Sequence, residues 1–270
     1  MMIFKANTIG PTAYNITRNS VKLSILGMTS RGVFLQNPSG QIVFLSSESY
    51  RGPMTINIDT SFTSSRLTPD EKGVILEGDL LSLPLSRVNV SLHGANIWHS
   101  PSRPEGYLSR SEMHNYANKV YAKLHSLDLV IGKDHWTKIE LDFSTAHLPE
   151  SLSLLESLLG SGPGLTPFGD DLVAGFLLTL NRWGDIIHPG LEVEAVNDHL
   201  VSAARKKTTS LSANLIECAA AGQADERLIL ALDDLISRNR DPNTCAGYFQ
   251  SYGSSSGFAS FLGMRLGLLG

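Results

Sequence analysis

The chain has 270 residues, 42% of them hydrophobic and 18% charged, with a net charge of −4. That apolar content supplies a packed core and excludes a disordered chain, while the acidic balance leaves no basic footprint for nucleic acid or an anionic membrane. No run reaches the roughly 18 apolar residues of a membrane span: the best, 172–180, follows Asp170 and Asp171 and ends at Asn181 and Arg182.

At the N-terminus, Asn7, Thr8, Gly10 and Pro11 stand where a signal peptide would carry its apolar stretch, so a cytoplasmic location is expected. Short β-rich runs follow at 22–26, 32–36 and 41–45, the last two joined by the turn residues Asn37, Pro38, Ser39 and Gly40. Further runs at 54–58, 73–77 and 87–92, with frequent turns and no helical period, predict an antiparallel sheet or small barrel.

Helical spacing begins near residue 110. Ser111 is placed to cap a helix in which Met113, Tyr116, Ala117, Val120, Tyr121 and Leu124 recur at three- and four-residue steps. An irregular stretch is expected over 128–148. Helices are then predicted at 149–159, 167–183, 192–206, 211–221, 225–238, 242–250 and 255–269. The expected fold class is α+β, with a β-rich domain over 1–145 and a helical domain over 146–270.

Glycine is only slightly in excess, 24 against about 19 at average usage, but 11 of the 24 fall in 160–175 and 247–270. The first cluster is Gly160-Ser161-Gly162-Pro163-Gly164-Leu165-Thr166-Pro167-Phe168-Gly169-Asp170-Asp171. Thr166 followed by Pro167 predicts a helix start with a hydroxyl cap and proline in the first turn. Three alternating glycines ahead of it can turn their amides toward one point, where the helix N-terminus favours an anion. The loop is neither a Walker loop, which needs Lys then Ser or Thr after its last glycine, nor a dinucleotide fingerprint, which needs a preceding strand.

Asp170 and Asp171 complement the helix dipole, yet as neighbours they point about 100° apart on a helix whose next residues are almost all apolar. At least one carboxylate is therefore expected at the edge of a buried surface, in need of a cation, a metal or ligand N–H groups. A phosphate in the loop would call for Mg²⁺ or another cation between it and the two carboxylates. No other cofactor is evident.

Two further helix entries are rich in hydroxyls: Thr208-Thr209-Ser210-Leu211-Ser212, and Gly253-Ser254-Ser255-Ser256-Gly257. Gly263 and Gly267 give the last helix a bare stripe, and Ala174 and Gly175 do the same for the helix after Pro167, so these two helices are expected to pack closely with their entry loops side by side. Three entries in one half either line a pocket with amides and hydroxyls or are three unrelated caps.

These motifs resemble a bacterial family formerly of unknown function that includes AllH, the oxamate carbamoyltransferase subunit of anaerobic allantoin breakdown. The resemblance runs from Gly160 to the C-terminus; the N-terminal half matches only in length and β-rich character. By position, Gly162, Gly164, Thr166, Asp170 and Asp171 fill the first motif, Thr208, Thr209 and Ser212 the second, and Gly253, Ser256 and Gly257 the third. The resemblance implies exchange of oxalurate and phosphate for oxamate and carbamoyl phosphate, with Asp170 and Asp171 as catalytic candidates, the other motif residues on the substrate, and partner subunits or a homo-oligomer. Carbamoyl N–H groups suit a carboxylate, and phosphate or oxamate oxygens suit loop amides and hydroxyls. The third motif departs from the family pattern, in which a histidine often follows the first glycine and an acidic residue stands shortly after Ser-Gly; Ser254 and Ala259 occupy those places. A non-catalytic ligand-binding or regulatory subunit is therefore the alternative.

The remaining candidates read as structural. Cys218 and Cys245 are expected as buried thiols, and the basic run Arg205, Lys206 and Lys207 as a solvated helix end. The eight histidines lack zinc-motif spacing, and Asp225-Glu226 and Asp233-Asp234 are expected as solvated charge on a surface helix.

Overall fold

The computed structural model describes residues 2–19, 22–58, 67–68, 73–124, 139–143 and 148–269. The chain forms two compact units, dividing between Ser100 and Pro101.

The first unit is a β-barrel. Its strands are β1 (Met2–Ile9), β2 (Lys22–Thr29), β3 (Gly32–Gln36), β4 (Ile42–Ser46), β5 (Thr55–Ile58), β6 (Val74–Glu77), β7 (Leu80–Leu83), β8 (Val88–Ser91) and β9 (Asn96–Ile97). The order β5-β4-β3-β2-β6-β7-β8-β1 closes on itself because β1 pairs β8 through Met2–Lys5 and β5 through Ala6–Ile9, with β9 alongside. Most pairings are antiparallel, and bulges between Ala6 and Thr8 and between Ile25 and Gly27 bend the two long strands. Val33, Leu35, Leu45, Leu81, Leu83, Val88 and Val90 are fully buried in the core. Every strand predicted from sequence is present within a few residues.

Four elements of this unit were not anticipated, the two-residue β9 among them. Strand β1 is too irregular in pattern to announce itself, and β7 is a short run between turns. Helix α1 (Pro11–Asn19) opens with proline directly after Gly10, where added side-chain volume would lie 2.0 Å from the Gly52 carbonyl oxygen. It buries Ala13 and Ile16 against the barrel.

The second unit is helical: α2 (Arg110–Leu124), α3 (Leu148–Leu158), α4 (Phe168–Ile187), α5 (Val193–Lys207), α6 (Ser210–Ala220), α7 (Glu226–Ser237), α8 (Pro242–Ser251) and α9 (Ser256–Leu268). Helix α2, ahead of the expected 145/146 boundary, belongs here because it buries Tyr116, Val120 and Leu124 in this core. The irregular stretch expected over 128–148 lies largely outside the described residues, with a helical turn at 139–143.

Helices α4 and α9 form the centre and are apolar nearly all round, as a helix surrounded by others must be. They approach backbone to backbone. A Cβ on Gly175 would lie 2.1 Å from the Ser260 carbonyl oxygen, one on Gly263 1.8 Å from that of Leu172, and one on Gly267 2.7 Å from Thr179 Cβ. The pairs 175 with 260 and 179 with 267 advance together along both helices, so the helices run parallel and begin side by side.

Helix α7 departs from its predicted surface character. Glu226, Asp233 and Asp234 are buried and Asp225 is half-buried; cations outside the helix reach Asp233 and Asp234, and Arg227 of α7 itself pairs with Asp225. Arg182 of α4 grips Asp233 with two bonds of 2.7 Å, joined by Trp183 Nε1 at 2.9 Å, and Arg240 Nη1 reaches Asp234 at 3.0 Å. A local sequence pattern cannot display a partner as distant as Arg182, 51 residues from Asp233. The Arg205, Lys206 and Lys207 run is exposed at the end of α5, and both cysteines are buried free thiols. Among the described residues, no helix is long and apolar enough to cross a membrane.

Candidate functional site

The three hydroxyl-rich entries converge. The loop after α3 turns at Gly160, φ +76°, where a Cβ would meet the Lys207 carbonyl oxygen at 2.6 Å. Gly162 and Gly164 continue with φ of +115° and +102°, a region that L side chains rarely adopt. The loop folds onto itself through Ser161 N–H to Leu158 O and Gly169 N–H to Ser161 O, both 3.0 Å. The amides of Gly162, Gly164, Leu165 and Thr166 donate to no described residue, and positions 161–165 are exposed.

Helix α4 starts one residue later than Thr166-Pro167 implied. Pro167 is itself the N-cap residue, with φ −50° and ψ 146°, and no side chain caps the helix. Its carbonyl receives the Asp170 and Asp171 N–H groups at 3.0 and 3.2 Å. Thr166 is thereby pushed outside capping reach, and its hydroxyl lies 3.2 Å from Ser256 Oγ at the start of α9. Ser255, the N-cap of α9, also makes no side-chain cap bond. Only the middle entry caps itself: Thr209 Oγ1 accepts from Ser212 N–H at 3.1 Å and donates to Leu165 O at 2.8 Å.

The two aspartates have opposite environments. Asp170 is 1% exposed and fully engaged: Oδ1 accepts the Gly160 N–H at 2.7 Å, and Oδ2 accepts the Thr208 hydroxyl. It fastens the first and second entries together, and this geometry favours a positioning role over the catalytic one expected of it. Asp171 is 4% exposed, and its Oδ2 has no partner. Burial pushes its carboxyl up to about 7; the neighbouring Asp170 pushes the same way, while the Ser256 and Thr166 hydroxyls pull it back. A second orphan atom, Ser212 Oγ, lies buried in the first turn of α6.

The other predicted site residues divide by their geometry. Gly162, Gly164 and Thr166 present unengaged loop amides. Thr208 and Thr209 build the loop's support. Gly257 packs: its N–H is taken by Tyr252 O at 2.8 Å, and a Cβ there would lie 1.9 Å from the Phe249 carbonyl oxygen. It therefore offers no free donor to a ligand, contrary to its expected binding role. Gly253 turns with φ +72°. Among the described residues no group of three or more His, Cys, Asp or Glu side chains gathers as a metal site. Nothing in the sequence singled out Tyr252, yet its phenol is raised by burial and by the charges of Asp225 and Asp171. The available signal was position alone, directly before Gly253.

Residues 158–268 match the family described as oxamate carbamoyltransferase subunit AllH. Over that stretch, most of the helical unit, the chain is similar to the AllH family. The match includes all three entries, both aspartates and the α4–α9 glycine contact, and the β-barrel lies outside it. No curated protein and no solved structure matches the chain.

Proposed function

We propose that this AllH-like chain serves carbamoyl transfer between oxalurate and phosphate in allantoin breakdown, as a subunit alongside partner subunits or further copies of itself, with its ligand held at Asp171. The observation that carries the reading is the unpartnered Asp171 Oδ2, buried where two parallel helices begin. An orphaned buried carboxylate oxygen is costly unless it is protonated or meets a donor, and a carbamoyl or oxamate group brings such donors as N–H. The anionic end of the ligand is assigned to the open amides of Gly162, Gly164, Leu165 and Thr166, in the positive field of the α4 and α9 N-termini.

In the transfer, a phosphate oxygen attacks the oxalurate carbamoyl carbon, the bond from that carbon to the oxamate nitrogen breaks, and the leaving nitrogen takes a proton. Asp171, titrating near neutrality, is suited to hold and deliver that proton. Asp170 keeps the loop closed against α6 through Gly160 and Thr208.

The test is binding and turnover by the full chain with oxamate, phosphate and carbamoyl phosphate, with and without Mg²⁺. Saturable oxamate binding that Asp171→Asn weakens tenfold or more supports the reading; unchanged binding overturns it. The alternative, a non-catalytic ligand-binding subunit, is motivated by Ser254 and Ala259 at positions where relatives carry ionisable groups. Phosphate-dependent oxalurate cleavage by the isolated chain excludes it.

A further inference from the structure

Asp171 is nearly closed to water. The residue is 4% exposed and its Oδ2 has no partner, so a carboxylate that has given up its proton there has little solvent beside it from which to regain one. Its surroundings open in a definite order. Thr166 and Ser256 are half-buried, and the loop ahead of Thr166, positions 161–165, is exposed.

The place of Ser256 beside Asp171 follows from the helix pair. A Cβ on Gly263 of α9 would lie 1.8 Å from the Leu172 carbonyl oxygen of α4, and the Phe168 and Phe258 rings stand 6.5 Å apart at the two helix starts. The first turns therefore touch, with Asp171 in one and Ser256 in the other. Ser256 Oγ is 3.2 Å from Thr166 Oγ1, and both hydroxyls face the Asp171 carboxyl. A hydroxyl donates one proton while its oxygen accepts another, so two in line can pass a proton along without being changed.

We propose that Thr166 and Ser256 form a proton path from the open loop to Asp171, with Ser256 making the last transfer. In one passage a hydronium ion gives a proton to Thr166 Oγ1, Thr166 gives its own to Ser256 Oγ, and Ser256 gives its own to a carboxylate oxygen of Asp171. Three O–H bonds break and three form. Water is left behind, both hydroxyls are regenerated, and Asp171 is neutral again. The path rests on the reading of Asp171 as the proton donor to the leaving nitrogen and adds the groups that reload it between turnovers. Ser256 is thus a positioning residue acting through Asp171.

Exchange of the Asp171 carboxyl proton for deuterium tests the path without substrate. The full chain at pH 5, where Asp171 is protonated, is mixed with D₂O, and the infrared carboxyl band that Asp171→Asn lacks is followed as deuterium enters. Ser256→Ala and Thr166→Val should each slow the exchange about tenfold or more, and Ser256→Thr should restore the wild-type rate. A hydroxyl that only held the helices together would act the other way, since loosened packing speeds exchange. An unchanged or faster rate in Ser256→Ala overturns the proposal, as does a slow rate that Ser256→Thr leaves in place or the absence of the Asp171 band. Slowing in Ser256→Ala without slowing in Thr166→Val overturns the two-hydroxyl route. Oxamate binding is measured on the same proteins: its absence from the wild-type chain overturns the proposed function, while the exchange rates still decide the path.

Discussion

Thr166 Oγ1 and Ser256 Oγ lie 3.2 Å apart although 90 residues separate them. The contact exists because α4 and α9 run parallel from a shared starting point beside Asp171. The two hydroxyls face each other and the carboxylate, and neither helix has a side-chain cap of its own. Local chemistry is given up for a tertiary site.

Asp171 makes stability depend on pH. Its folded carboxyl titrates near 7 against an ordinary value of 3.8, so between those limits the folded state holds more protons than the unfolded state. The stabilisation is present at low pH and is lost as pH rises through 7, by about 2–4 kcal/mol. Asp171→Asn should therefore unfold at higher denaturant than wild type at pH 8 and close to it at pH 4, as read by urea melts without ligand.

Asp170 should behave otherwise. Asp170→Ala strands the Gly160 N–H and the Thr208 hydroxyl, at about 1–3 kcal/mol, which lowers the melting temperature by several degrees. Oxamate affinity should fall through loosening of the loop. An unchanged melting temperature would contradict its role as a fastener.

The α4–α9 contact admits no side chain. Gly175→Ala and Gly263→Ala each place a methyl within about 2 Å of a backbone oxygen in a buried helix, and loss of the folded unit or at least 3 kcal/mol is expected. Gly190→Ala, with φ +93° and open space around it, should cost only about 1–2 kcal/mol. Comparable unfolding midpoints for the three variants would refute the close approach.

Arg182 and Asp233 form a buried pair. Arg182→Met leaves the carboxylate with Trp183 but no cation, and about 3–5 kcal/mol should be lost. Adding Asp233→Leu should recover much of it, since the stranded charge is then gone. A double variant no better than the single would place the cost in packing.

By itself the sequence determined the division into a β-rich half and a helical half, the existence of nearly every helix, and the glycine-built turn ahead of α4. Those features are local: apolar spacing, turn residues and glycine placement are encoded within one or two turns of the chain. Gly175, Gly263 and Gly267 even revealed which two helices touch, since only close backbones require bare positions. Strand β1 escaped because its bulge breaks the alternation that marks a strand.

What the sequence left open was decided by partners far along the chain. Asp170 and Asp171 are adjacent and chemically identical, and no local rule separates them. Thr208 and Gly160 close one, while burial beside two hydroxyls keeps the other protonatable and unpaired. Asp233 resembled surface charge until Arg182 arrived from another helix, and Asp234 until the chain just past α7 turned Arg240 back onto it. Solvation and charge pairing depend on what fills the neighbouring space, and only the packed helices settle that.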